Sequence, residues 1–417
     1  MGMTLTEKIL ARKTGQTKVS PGDLVTVEVD TVVFVDTMFA PGRWRKIKRL
    51  DHPERVIVVL DHRAPVPDKQ GAASHQTARA FATQFGIQRL HDIGYDQGIS
   101  HQLVADFGYA LPGSLLVCSD SHTGSAGVFN CLARGVGVPD VVYAATQGET
   151  WFMVGETIRY ELEGKLSRGV TMKDAFLQIA GQYGDHTNAN VEYGGPALAH
   201  LSISARKTMT TMSTELSADF ALFDPDDIMV EWLRARTKAE FECIYPDADA
   251  TYKEVRRVAL GELQPLVAFP DTVIENSKPV AAAAGTPIDQ AFVGSCANGT
   301  LEDLALAAEV VRGRRVNPRV RFIVTPASQG VYRAASEAGI ITTLVNAGAV
   351  VTNSTCGACG GSHMGVLGAN ETCITASTRN FKGRMGEDSA RIYMGSPATV
   401  AASAIRGVIT DPREFLQ

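Results

Sequence analysis

Apolar and polar positions along this chain follow two rhythms. Short continuous apolar runs, at residues 55–60, 114–118, 291–293 and 320–324, read as strands buried on both faces. Residues 19–35 alternate and are β-branched, with Pro21-Gly22 as a turn, and also read as strands. Helical spacing marks residues 1–17, 74–85, 171–183, 202–216, 225–236, 301–315, 329–338 and 396–406. Ser74 is the expected N-cap of the second of these, and Asp224 with Pro225 opens the fifth. A further strand is expected at 156–163, and the Pro- and Ala-rich stretch 260–288 reads as a linker. Strands alternating with helices predict an α/β fold with more than one sheet. Three α/β domains are expected, at residues 1–155, 156–262 and 263–417.

Composition narrows the class. A chain of 417 residues with 45% hydrophobic content can build two or three cores. A net charge of −5 gives no reason to expect a nucleic-acid surface. No apolar run is long enough to span a membrane, and residues 1–13 lack the apolar core of a signal peptide. Seven cysteines in such a chain read as reduced thiols, some of them ligands, in a cytoplasmic enzyme. Cys118, Cys131 and Cys243 fit the plainer role of small buried hydrophobes.

The chemistry-bearing residues sit just beyond the predicted strands. Asp61-His62 follows one apolar run and Asp120-Ser121-His122 another, with His101 between them. Open α/β sheets gather ligand groups at these carboxyl ends. Cys296 lies in a Gly-Ser-Cys-Ala-Asn-Gly turn, while Cys356 and Cys359 form a Cys-x-x-Cys among glycines. Three thiolates without an obvious fourth point to a metal or cluster with one open position, because structural zinc normally takes four protein ligands. Cys373 offers a fourth only from within an expected strand. Arg379 and Arg384 follow, and guanidinium forks select carboxylates or phosphates.

Taken together, these motifs resemble the aconitase superfamily, nearest to large subunits of the 3-isopropylmalate dehydratase and homoaconitase type. Asp61-His62, His101-Gln102, Asp120-Ser121-His122-Thr123, Val191-Glu192-Tyr193-Gly194, the Cys296 turn, the Cys356/Cys359 pair and the segment 379–384 occur in the family's order. The resemblance implies a [4Fe–4S] cluster held by Cys296, Cys356 and Cys359, with one iron open. It implies that His101, Asp120 and His122 handle the hydroxyl, with Asp61 and His62 in support. Glu192 would lie near the iron-bound water, and Ser121, Arg379 and Arg384 would bind substrate carboxylates. It also implies a separate small subunit that supplies the missing C-terminal domain and its serine base. The expected activity is dehydration and isomerisation of a 2-hydroxy di- or tricarboxylic acid of the 3-isopropylmalate type. Homoaconitate, citraconate, dimethylmalate-type or specialised-pathway substrates are alternatives, since the segment Val33-Phe34-Val35-Asp36-Thr37 and Thr378 depart from the branch's usual residues where substrate could be touched; Ala297 departs as well. A non-catalytic iron-sensing relative and a structural zinc protein are the readings from other classes.

Overall fold

The computed structural model describes residues 2–416. It is an α/β fold of three main sheets, each drawing its strands from one stretch of chain. The first sheet is wholly parallel. Its spatial order is Arg89–His91, Val56–Val59, Thr31–Val35, Leu115–Cys118 and Leu132–Gly135. Val56–Val59 and Leu115–Cys118 are buried at every position, so both carry unbroken apolar runs. The chain runs outward from Thr31–Val35, then returns beside it as Leu115–Cys118. That reversal opens a crevice at the carboxyl ends of these two strands.

The third sheet repeats this device. Gln290–Val293, Arg321–Val324 and Val350–Val351 run outward on one side, and Thr372–Thr375 and Arg391–Gly395 return on the other, all parallel. The middle sheet, also parallel, orders Ala221–Phe223, Ala189–Gly194, Glu156–Glu163 and Glu254–Ala259. An antiparallel pair, Leu24–Glu28 with Glu149–Met153, flanks the first sheet. Among the described residues no helix is long and apolar enough to cross a membrane.

Three expectations are corrected. The stretch 260–288 is no linker. Leu266–Ala268 and Ser277–Pro279 are antiparallel strands that extend the third sheet, and their shortness hid them. The helix expected from Ser74 starts at Lys69, because the Asp68 side chain accepts from the Gly71 amide; Ser74 lies inside and bonds the Gln70 carbonyl at 3.1 Å. The helix expected from Pro225 runs Asp227–Arg234 with Asp226 as its cap. Asp224 is spent on Arg159, which it holds with two bonds of 2.5 and 2.7 Å.

The N-terminal helix, Leu5–Thr14, has a reciprocal cap between Thr4 and Glu7. It is pinned to residues far along the chain. Met3 N–H and Lys8 Nζ each reach Asp247 at 2.8 Å, and Thr6 donates to Glu192 through its amide (2.9 Å) and hydroxyl (3.0 Å).

Candidate active site

The crevice of the first sheet holds an alternating series of carboxylates and imidazoles. Asp120 caps the turn Ser121–Phe129 and stands at its centre. Its Oδ1 accepts from His101 Nε2 and the His122 amide, both at 2.8 Å, and its Oδ2 from His62 Nε2 at 3.1 Å. His62 Nδ1 lies 2.7 Å from Asp61 and 3.2 Å from Asp36. Asp36 also accepts from the amides of His62 and Arg63 and faces His75 Nε2 at 3.4 Å. At the other end, His122 Nε2 donates to Glu215 at 2.8 Å. The same Glu215 oxygen takes Arg379 Nε at 2.7 Å, and Arg379 Nη2 donates to Ser121 at 2.8 Å.

Charge in this series follows its pairing. Burial alone would raise the Asp120 carboxyl, but the charge and bond of His101, with bonds from His122 and His62, hold it well below the usual range. Burial likewise works against the imidazolium forms. Cys356, Asp61, Asp120 and Asp36 nevertheless raise His62 well above 6.5. Bonds from Asp120 and Glu215 raise His122.

The third sheet brings the thiols to the same crevice. Cys296 follows the strand Gln290–Val293, and the residue before it, Ser295, holds φ +77°, a conformation that side chains beyond glycine rarely take. Gly299 closes this turn; a Cβ there would lie 2.7 Å from the Ser295 carbonyl. Cys356 follows Val350–Val351, and its amide donates to the Asp61 carbonyl at 3.1 Å. Thr355 Oγ1 bonds the same carbonyl at 2.6 Å, and His363 Nε2 bonds that of His62 at 2.9 Å. The thiol loop is thus laced to the Asp61-His62 loop. Ligand atoms of Asp61, His62 and Cys356 all fall within 4.8 Å of one another. Cys359 Sγ lies 3.5 Å from Arg384 Nη2 and 3.7 Å from Thr378 Oγ1.

The three thiols differ in character. Burial pushes Cys296 up to about 12, and Cys359 adds to the rise. Cys356 is raised well above 9 by burial, against the pull of His62. Cys359 is also buried, yet the Arg384 charge and bonds from Arg384, Ser295 and Thr378 bring it down to about 6. Two buried lysines back this region. Lys173 Nζ bonds the carbonyls of Ala376 (3.1 Å) and Ser377 (2.7 Å), just ahead of Arg379, and burial lowers its pKa to about 8. Lys207 bonds Gln102, the neighbour of His101.

All of these loops face one cavity of about 520 Å³. Cys296, Cys356 and Cys359 line it together with His62, His101, Asp120, Ser121, His122, Arg379 and Arg384. Asp61 lies directly behind His62. Glu192 is the predicted residue that the structure does not bring here. It is wholly buried in the middle sheet, where it bonds Thr6 and, at 3.2 Å, the Tyr252 hydroxyl. The carboxylate that the middle segment does bring is Glu215, on the turn Ser213–Leu216. Cys373 stays inside the strand Thr372–Thr375 and does not line the cavity. Asp36, His75 and His363 went unassigned in the sequence. Asp36 carried the same signal as Asp61 and Asp120, an acid directly after an apolar strand. The other two carried none.

The aconitase family (aconitate hydratase) matches residues 40–407. The chain is 51% identical over 416 residues to a 3-isopropylmalate dehydratase large subunit of Mycolicibacterium smegmatis, covering 100% of this chain and 98% of the relative. It is 40% identical to a probable methanogen homoaconitase large subunit of Methanothermobacter thermautotrophicus, covering 99% and 98%. Among solved structures, aconitase X of Thermococcus kodakaraensis matches with a TM-score of 0.48 at 10% identity, covering 88% of each chain.

Proposed function

The chain belongs to the aconitase family, and from that premise we propose that it is the cluster-bearing large chain of a two-chain hydro-lyase whose substrate is a 2-hydroxy dicarboxylic acid of the 3-isopropylmalate type. One observation carries the reading: three thiols from two loops line the same cavity as a paired imidazole–carboxylate series and two arginines. The donor set fits a [4Fe–4S] cluster. The thiols are buried or half-buried and lie among glycines, three cations (Arg384, Lys173 and Lys207) stand near them, and Arg384 Nε is buried without a partner. Cys296, Cys356 and Cys359 would hold the cluster. When bound, it supplies Lewis-acid help for loss of hydroxide at an iron that no cysteine ligates.

The chain's own residues divide the remaining work. Arg379 and Arg384 bind and orient the substrate's carboxylates, and Glu215 and Ser121 fix the first of these forks. Asp120 accepts a hydrogen bond from His101 Nε2 and orients that ring; in the imidazolium form, which the Asp120 carboxylate stabilises, Nδ1 also carries a proton and passes it to the departing oxygen, leaving the neutral Nε2–H tautomer. Asp61 and Asp36 hold His62 protonated opposite Asp120. The relatives are named large subunits, so a separate small subunit completes the active enzyme.

A second reading, a homoaconitate-type tricarboxylate, draws support from further polar residues of the cavity lining. Arg63, which also pairs with Asp68, stands there with Gln70, Ser74 and His75, and a further carboxylate suits this polar set better than a branched alkyl group. The test has two parts. Anaerobic iron and sulfide analysis should give about four of each per chain; a single zinc without sulfide would refute the cluster. Hydration assays of the two-chain enzyme should then compare isopropylmaleate with homoaconitate, and turnover of neither would remove the substrate assignment.

A further inference from the structure

The surface carries a second charged feature that net charge conceals. In residues 43–49, Arg43, Arg45, Lys46, Lys48 and Arg49 are cations, and all five are exposed. The residues between them point the other way. Trp44 packs on the rings of Phe39 (4.6 Å) and Phe81 (5.2 Å), and Ile47 and Leu50 are buried in the first core. An apolar anchor at every third position therefore fixes the backbone, and every position between anchors presents a positive charge. Among the described residues, none of the five cations has an ion-pair or side-chain hydrogen-bond partner. The nearby Asp51 and Glu54 are taken by His52.

Three features decide what such a ridge fits. It starts at the cavity, which Ala40, Pro41 and Arg43 line, and runs away from it. Seven residues reach up to about 20 Å, several times the length of a small dicarboxylate. Five uncompensated like charges on a rigid backbone repel one another in the free chain, and a facing row of carboxylates would relieve that repulsion. Steering of a small anion needs charge but no fixed backbone, whereas docking needs both.

We propose that residues 43–49 are a docking ridge for an acidic face of the small subunit, seated at the rim of the active-site cavity. This rests on the two-chain reading above. The experiment uses the full-length chain and the small subunit with which it reconstitutes activity. Binding is measured by calorimetry between 50 and about 500 mM NaCl. Wild-type affinity should fall steeply with salt. An Arg45→Glu/Lys46→Glu/Lys48→Glu/Arg49→Glu variant should bind at least tenfold more weakly at low salt and converge with wild type at high salt. The neutral Arg45→Gln/Lys46→Gln/Lys48→Gln/Arg49→Gln variant should fall between them, which guards against a folding defect in the reversed form. Equal low-salt affinity for wild type and both variants would overturn the ridge and leave the two-chain reading intact. So would unchanged affinity with a salt-sensitive loss of kcat/KM, which would mean substrate steering, or unchanged affinity with loss of oligouridylate binding. If the wild-type chain binds no small subunit at any salt, the two-chain reading fails and the ridge proposal with it.

Discussion

Glu192 and Glu215 come from the same middle stretch of the chain; the first carboxylate is wholly buried and the second is partly buried, and each has few hydrogen-bonding neighbours. Their surroundings make them opposites. Glu215 faces two cations, His122 and Arg379, which outweigh burial and keep it ionised. Glu192 bonds neutral donors, Thr6 and Tyr252; the Arg159 charge beside it is already committed to Glu161 and Asp224, and burial raises Glu192 from the usual 4.5 to about 7. A buried acid thus belongs to the chemistry when charged partners hold its charge, and to the scaffold when they do not.

Four substitutions test that contrast, in descending order of effect. Glu215→Ala leaves His122 and Arg379 without their shared acceptor; kcat/KM of the reconstituted enzyme should fall about a thousandfold, near 4 kcal/mol, with iron content unchanged. Glu192→Gln should leave kcat/KM within about twofold but change the pH dependence of stability. A carboxyl raised on folding destabilises the native state progressively as pH rises from 4.5 through about 7. The variant should therefore gain up to about 3 kcal/mol over wild type in urea unfolding at pH 8 and little at pH 4. A hundredfold loss of activity instead would show that Glu192 reaches the site. Thr6→Val removes a donor from that carboxylate and should cost about 2 kcal/mol at pH 8, less at pH 5. Tyr252→Phe should cost about 1 kcal/mol with the same trend.

These two acids also show how far the sequence could be read. The strands were legible because parallel strands buried on both faces need continuous apolar runs, as at Val56–Val59 and Leu115–Cys118. The thiols, Asp61, His62, His101, Asp120 and His122 were legible because their loops keep a specific order of residue types, and the cavity gathers all of them but Asp61, which stands behind His62. Glu192 was expected near the site from the Val191-Glu192-Tyr193-Gly194 motif, whereas the structure holds it in the middle sheet against Thr6 and Tyr252. The glycines that follow it serve packing. A Cβ on Gly194 would collide with Arg159 and Asp224, and one on Gly195 would come within 2.6 Å of the Leu162 carbonyl. Glu215 had no local signature, since its partners lie 93 and 164 residues away. The caps at Ser74 and Asp224 failed because several candidates stood within a few residues: Asp68 caps its helix locally, and the long-range pairing with Arg159 takes Asp224 away.

The pinning of the first helix to Glu192 and Asp247 sets an order in time. Its anchoring partners are separated from it by 186 to 244 residues. At cellular rates of synthesis those partners leave the ribosome roughly ten to fifty seconds after the helix does. Residues 5–14 are thus made long before the contacts that fix them can form. Until then their apolar face, Leu5, Ile9 and Leu10, stays available to chaperones.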